Sequence, residues 1–577
     1  MTPCRRATAL ALLVALVGLA GCASVPESSP VQVLRQVGGG EETALSLEPV
    51  DGSNPLDLVR DFVFASGVST DMHESARRFL APEAQEWDAA ASLIVLDGQF
   101  DTVPAPDAQD QSTGVTTIRI RGTAIGHVTS SGSFEPDQVT FQRDVTVVRR
   151  DGQWRISALP GGVVVPSSTF QANYRAVHTW FVDPGRGLLV ADLRYLPSMP
   201  LSAQAARALE LLLAGPSAAL TGAAVSQLPP DARLRSNVMA SLDGVLIVDL
   251  TGIDDLEEPA RQLLAAQVVL SLAEVDVDRV RLLVDGEPLL PGQAELARAD
   301  VAGLVAEVAP GPGVPGLVVS DGRLRQLTGS EPGTPLPGPV GDGTYDVESA
   351  AFTVDGQRLA VVVRQDDRRV LLFGDGPEGG LTPVLLDAAT MTRPSWTPRG
   401  AEVWTVVDST AVVRVLVDDT ELTRRPVNAD ELTELGPISD LRLSRDGMRV
   451  VAVVGGGLYT ASVERGVDGA VSIGNIRRLR PIELDEVVAA DWWAAESVVA
   501  ITRGPELLVA HVSVDGLDIA QILGNNLTPP LTAVAATSDR SLLVTDRAGV
   551  WSVASDDQTA WRQVLPAAPD AVPLYPG

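Results

Sequence analysis

Phe352-Thr353-Val354-Asp355-Gly356, followed by Leu359-Ala360-Val361-Val362-Val363, reads as a strand end, a tight turn and a second strand. β-Branched residues favour extended backbone, and Asp-Gly supplies the turn that joins two antiparallel strands. The same grammar returns at Trp396-Thr397-Pro398-Arg399-Gly400 before Val403-Trp404-Thr405-Val406-Val407, and at Leu443-Ser444-Arg445-Asp446-Gly447 before Val450. Two degenerate copies follow, Trp492-Trp493 before Val498-Val499-Ala500-Ile501 and Ala536-Thr537-Ser538-Asp539 before Leu542-Leu543-Val544. Equivalent positions are 44, 47, 49 and 44 residues apart, the length of one four-stranded propeller blade. Five repeats are therefore visible. The half-repeat Gly316 to Leu327, with its Ser320-Asp321-Gly322 turn, is expected to be completed by a closure strand from Ala571 to Tyr575. Residues 316–577 are thus expected to form an all-β propeller, six blades being favoured over five or seven. The fourth copy departs from the pattern, since Ala494-Ala495-Glu496 stands where an Asp-Gly is expected.

Working back toward the N-terminus, residues 299–315 read as a linker. Within them begins Gly311-Pro312-Gly313-Val314-Pro315-Gly316, which formally matches the dinucleotide-binding glycine pattern, but its prolines forbid the strand-to-helix turn that binds phosphate. Residues 169–298 form a small α+β unit. Strands at 179–182 and 188–193 precede a helix over 202–214 that presents Ala205, Leu209, Leu212 and Leu213 on one face and ends at Gly215-Pro216. Strands at 234–239 and 245–250 flank Asp243-Gly244, a second helix carries Ala260, Leu264, Val268 and Leu272, and 280–284 closes the unit before Asp285-Gly286. Residues 51–168 form another α+β unit, with helices at 56–65 and 73–80, then strands that include 115–120 and a hairpin at 144–156 turning on Asp151-Gly152. Residues 22–50, rich in Ser, Pro and Gly, form a flexible tether. Residues 1–21 read as an export signal, with Arg5 and Arg6 before the apolar run Ala7 to Ala20. Its end, Leu19-Ala20-Gly21-Cys22, resembles a bacterial lipobox, so Cys22 is expected to carry S-diacylglycerol and an N-acyl chain, anchoring the protein to the extracytoplasmic face of the cell membrane.

Charge and composition remove whole classes of chemistry. The net charge of −30 repels phosphate backbones, so nucleic acid is not an expected partner. All 44 basic residues are arginine, which excludes Schiff-base and P-loop lysines. Of the two cysteines, Cys4 leaves with the signal and Cys22 is acylated. The four histidines, His73, His127, His178 and His511, have no metal-ligand spacing and read as structural. Asp254-Asp255-Leu256-Glu257-Glu258 reads as a solvated helix start, not a calcium loop. No Gly-x-Ser-x-Gly elbow occurs. No catalytic, cofactor-binding or metal residue is therefore expected, and no enzyme.

The chain as a whole resembles the LpqB lipoprotein family of actinobacteria. The second unit resembles a GerMN domain through Thr179-Trp180-Phe181-Val182, Leu209 to Gly215-Pro216, Leu228-Pro229-Pro230 and Leu283-Val284-Asp285-Gly286. Ala76-Arg77-Arg78-Phe79-Leu80 with Trp87, and Gly152-Gln153-Trp154-Arg155-Ile156, resemble the family's N-terminal region, and the repeats its propeller. What the resemblance implies is an accessory protein of a two-component system that contacts the extracellular domain of a sensor histidine kinase, MtrB-like, and bears on cell-wall homeostasis and division. The alternative is a binder of peptidoglycan or another glycan as cell-wall ligand, against which stands an aromatic content of only 4%. A third reading, a propeller hydrolase, would require a central cluster of carboxylates or histidines. Trp492 and Trp493 are candidate interface anchors, with core packing as the competing role.

Replacing Cys22 by Ala or Ser is expected to leave an uncleaved or secreted chain, because acylation supplies the membrane affinity. Fractionation of membranes checks this; equal retention of a fully processed mutant would contradict it.

Overall fold

The computed structural model describes residues 48–577 apart from 71, 107, 109–113, 242, 254–255, 307–315, 328–332, 419–420, 467, 539, 556–557 and 559. The export signal, Cys22, most of the tether, Asp254-Asp255 and all but the last residue of the Gly311–Gly316 pattern lie outside the described residues.

Helix α1 (Pro55–Ser66) opens the first domain. Asn54 caps it by accepting from the amides of Leu56 at 2.9 Å and Asp57 at 3.0 Å, and Pro55 occupies the first turn, where no amide donor is needed. Its buried face, Leu58, Val59, Phe62 and Val63, packs on a sheet of β1 (Leu93–Pro104), β2 (Val115–Val128), β3 (Phe134–Arg150), β4 (Gln153–Ala158) and β5 (Val163–Pro166) in the order β4-β3-β2-β1-β5. The hairpin between β3 and β4 turns on Asp151 and Gly152, both at positive φ, as a two-residue turn demands. The helix expected over 73–80 shrinks to Glu74–Arg77. His73 sits in the left-handed region, and Leu80 is drawn into a bridge with Ile156, where Ala81 donates to the Ile156 carbonyl at 2.7 Å. Pairing with the sheet edge outcompetes the helix.

The second domain begins with the hairpin β6 (Tyr174–Asp183) and β7 (Leu188–Pro197). Helix α2 (Leu201–Leu213) buries Ala205, Leu209 and Leu212 as expected, while Leu213 is only partly buried and Ala208 and Leu211 share the core. Helix α3 (Glu258–Ala273) buries Leu264, Val268 and Leu272. It crosses over between two parallel strands, Leu246–Thr251 and Arg279–Val284. The strand expected over 234–239 is instead two short pieces, Arg233–Leu234 and Met239–Ala240, each pairing with one end of Leu246–Thr251. The stretch read as linker from 299 is folded as far as 306. Val305 bridges Leu189, and the Ala306 amide donates to the Leu189 carbonyl at 2.8 Å, so these residues complete the second domain.

Among the described residues six antiparallel sheets follow, five of four strands and one of three. Their inner strands, Asp346–Phe352, Ser395–Trp396, Ile438–Leu443, Val487–Ala494, Ala533–Ala535 and Val572–Leu574, touch one another in a closed ring. The three-stranded sheet joins the two ends of the region: Leu317–Ser320 pairs with Val572–Leu574 in the register Leu317↔Leu574. Closure removes the open sheet edges that would otherwise template aggregation. The repeated turn has a physical reason. Thr353 Oγ1 accepts the Arg358 amide at 3.0 Å, and Ser444 Oγ accepts the Arg449 amide at 2.9 Å, each hydroxyl clamping the hairpin that follows it. Gly356 and Gly447 supply the positive φ. Trp492 and Trp493 point to opposite faces of their sheet and are both buried, so each fills a seam between neighbouring sheets and neither is an exposed anchor.

Removing residues 571–577 deletes the inner strand of the closing sheet, the bond from Tyr575 Oη to the Ser541 carbonyl, and Leu574, which is 1% exposed. A loss of at least about 2 kcal/mol is expected, the cost of one buried leucine, with aggregation from the freed edges. Calorimetry checks it, and an unchanged melting temperature would contradict ring closure.

Candidate functional site

Polar groups removed from water demand partners, and where the three domains meet the partners come from one another. On β7, the Asp192 carboxylate accepts from Arg194 Nη2, the Ser217 amide and Ser217 Oγ, all at 2.7 Å. Arg194 is fully buried, and its Nη1 donates at 2.6 Å to the Ser131 carbonyl of the first domain. The next residue, Tyr195, donates its amide to the Gly132 carbonyl at 2.7 Å and its hydroxyl to Asp515 of the propeller at 2.7 Å. Burial pushes the Asp515 carboxyl up, against the pull of its bonds from Ser513, Tyr195 and the Leu517 amide. From the propeller side, Arg449 Nη2 reaches the Ala191 carbonyl at 2.7 Å, and Asn475 Nδ2 the Thr221 carbonyl at 2.7 Å. Arg186 donates to the Asp446 carbonyl. Gln138 Nε2 meets Glu483 at 3.1 Å, and Arg480 meets Asp97 at 3.5 Å. A cavity of about 40 Å³ remains between the three domains, lined among others by Ser133, Asp192, Arg449, Arg477 and Asp515. The apolar cores also cross the boundaries: Leu517 packs into the first domain's core and Met448 into the second's.

His178 joins two domains. Its Nδ1 lies 2.6 Å from Glu274 on the second domain, and its Nε2 lies 2.7 Å from Glu496 on the propeller. Burial lowers the imidazolium's affinity for its proton, but the two carboxylates overcome this and push it up to about 10. Glu496 is the residue that replaces the repeat's Asp-Gly turn. The irregular turn therefore docks on the second domain, as the regular turn at Asp446-Gly447 does through Arg186 and Met448. His73 faces the Ser66 carbonyl at 2.9 Å, His127 lies 3.6 Å from Glu135, and His511 sets its ring edge-on to Trp493, where burial lowers its proton affinity. The four histidines are not brought together. Among the described residues no group of three or more His, Cys, Asp or Glu could hold a metal ion.

The propeller channel does contain carboxylates, Asp440 and Asp491, but each is paired. Arg393 Nη2 meets Asp491 at 2.9 Å, while its Nη1 reaches the carbonyls of Val534 at 3.3 Å and Pro573 at 3.0 Å, so one guanidinium ties its own sheet to three others. Arg442 meets Asp440 at 3.0 Å and donates to the Arg393 carbonyl at 2.7 Å. Burial and the neighbouring Arg393 pull the Arg442 guanidinium down to about 10. Trp492 Nε1 donates to the Arg442 carbonyl at 3.2 Å. Trp492 is singled out in the sequence for another role, as an interface anchor, while Arg393, Asp440, Arg442 and Asp491 are not; only their positions on or beside the inner strands of the repeats signal them.

Sequence comparison accounts for the same three blocks. Residues 48–171 match the lipoprotein LpqB N-terminal domain, 180–290 the sporulation and spore germination domain, and 322–576 the lipoprotein LpqB beta-propeller domain. Lipoprotein LpqB of Rhodococcus opacus is 31% identical, the match covering 99% of this chain and 97% of that protein. The chain belongs to the lipoprotein LpqB family. LpqB of Mycolicibacterium smegmatis is likewise 31% identical, over 98% of this chain and 99% of that one, and LpqB of Mycobacterium tuberculosis 30% identical over 97% of each. Among solved structures, TolB from Acinetobacter baumannii aligns with 34% of this chain and 44% of its own, at 16% identity and a TM-score of 0.25. The relatives are named as lipoproteins, the name of a protein anchored to the membrane of the cell envelope. Among the described residues no helix is long and apolar enough to cross a membrane.

His178→Gln should loosen the seam between the second domain and the propeller. Because the folded protein raises the proton affinity of His178 from 6.5 to about 10, the pair's contribution is fully present below pH 6.5 and is lost as pH rises through about 10. The expected cost at neutral pH lies below the ~3–5 kcal/mol of a fully buried pair. Melting temperatures from pH 6 upward test it, and the absence of lysine removes the usual competing titration. The gap between wild type and variant should close above about pH 10; a gap independent of pH would contradict the assignment.

Proposed function

We propose that this protein is a lipid-anchored accessory protein on the extracytoplasmic face of the membrane that modulates a two-component sensor kinase of the MtrAB type, and with it cell-wall homeostasis and division. The observation that carries the reading furthest is the interdomain junction. Three domains that share buried hydrogen bonds, the half-buried His178–Glu496 pair and apolar contacts present one surface in one orientation, as a protein that acts by docking requires. A lipid on Cys22 would confine that body to the membrane plane and raise its effective concentration near a membrane partner, so modest affinity suffices. The partner is the extracellular domain of a sensor histidine kinase, MtrB-like. Membership of a family of accessory lipoproteins supports the reading, and the paired state of the channel carboxylates gives a propeller hydrolase no free acid and base.

Crosslinking in intact membranes, followed by capture of the full-length chain, tests this. A sensor kinase should be enriched over a Cys22→Ser control. Recovery of peptidoglycan fragments with no kinase would favour the glycan-binding alternative and contradict the proposal.

A further inference from the structure

Ser513-Val514-Asp515-Gly516 repeats the Ser-x-Asp-Gly signature of Ser444 to Gly447, but at a different place in its sheet. The turn after Ser444 joins the first two strands of its sheet, whereas the turn after Ser513 joins the last two, Val509–Ser513 and Ile519–Gln521. That position drives it into the junction, where Leu517 enters the first domain's core and Asp515 is left 7% exposed. In the regular turn the acid has a counter-ion, Arg449 on Asp446 at 3.2 Å. Asp515 has none among the described residues. Its donors are all neutral: Ser513 Oγ and Tyr195 Oη at 2.7 Å and the Leu517 amide at 3.1 Å. The cations that share its cavity are committed elsewhere, Arg449 to Asp446 and the Ala191 carbonyl, and Arg477 to the Phe134 carbonyl at 3.4 Å and Glu135 at 3.8 Å. Asp192, Glu496 and Asp518 face the same site with like charge. A carboxylate held out of water without a counter-ion is costly, and the neutral acid is not. The neutral acid also has an acceptor for its proton, since Ser513 Oγ can turn its own hydrogen toward the Asp518 carbonyl at 3.5 Å.

We propose that Asp515 is a proton-operated lock on the three-domain junction: with a proton on Asp515 the 513–518 turn seats fully against Tyr195 and the first domain's core, and without one the seat carries an uncompensated charge and opens more readily. Burial raises the proton affinity of Asp515 above the ordinary 3.8, and Glu496 adds to the rise, against the pull of the three donors. The seated turn therefore holds its proton more tightly than the open one, in which Asp515 meets water. By linkage the seat is strongest below pH 3.8 and weakens as pH rises through the seated value. His178 works in the same direction, but its window opens only above pH 6.5. The lock depends on the junction alone, whichever partner the protein meets.

Hydrogen exchange of the full-length chain tests the proposal, read by mass spectrometry on segments 191–197 and 513–519 and corrected for the intrinsic rate at each pH. The range from about pH 4.5 to 6.5 isolates Asp515, because the contribution of His178 is constant below 6.5. Wild-type protection should rise as pH falls, by up to about ten-fold per pH unit, the limit for one linked proton. Asp515→Asn, uncharged throughout, should be at least as protected at the upper end of the range and show no such rise. Should that variant fail to fold by circular dichroism, Asp515→Ser carries the same comparison. Wild-type protection that stays level across the range, or a folded Asp515 variant that follows the same rise, would overturn the lock.

Discussion

Charge taken out of water at a domain boundary is the constraint on which the rest of this structure depends. His178 stands between Glu274 and Glu496, Arg449 on the Ala191 carbonyl, and Tyr195 against Asp515, and every one of these partners except Glu274 is reached across a boundary or supplied by it. A buried ion whose partner is removed costs several kcal/mol, so any other docking angle would strand these groups. The attraction itself adds little net stability. Its effect is to make one arrangement of the three domains far cheaper than the rest, while Leu517 and Met448 supply apolar contact across the same seams.

The propeller repeats the device on a smaller scale. Each inner strand offers a neighbour something it lacks: Trp396 Nε1 donates to the Ala351 carbonyl at 3.1 Å, the Leu443 amide to Ser395 Oγ at 3.0 Å, and Arg393 spans the channel. Arginine suits this work better than lysine, since a planar fork can address several acceptors at once. A chain with no lysine therefore loses nothing structurally. It gains stiff crossbars between sheets, as Arg393 shows by bonding Asp491, Val534 and Pro573.

The periodic parts of this architecture were legible in the sequence because local chemistry decides them. The Thr353-x-Asp-Gly and Ser444-x-Asp-Gly turns announce hairpins wherever they occur, and the spacing of Leu264, Val268 and Leu272 announces α3. Tertiary competition was not legible. Leu80 leaves its helix to pair with Ile156, residues 299–306 fold onto Leu189, and the strand expected at 234–239 breaks in two. The candidate sites were hidden for the same reason, since Arg393, Asp491 and Pro573 meet only once the ring has closed. One signal was present but pointed elsewhere. The irregular turn at Ala494-Ala495-Glu496 unsettles the repeat pattern, and its physical meaning is that Glu496 serves the neighbouring domain instead of its own hairpin.

The central claim, that the three domains hold one orientation, is tested most directly by the distance distribution between spin labels on different domains. With Cys4 and Cys22 replaced by serine, no other cysteine interferes, and labels at Gln262→Cys on the second domain and Asp367→Cys on the propeller report on the seam alone. A single narrow distribution at neutral pH, broadened when Glu496→Gln is added, is the result this account predicts. A broad or multi-peaked distribution in the unaltered seam would contradict it.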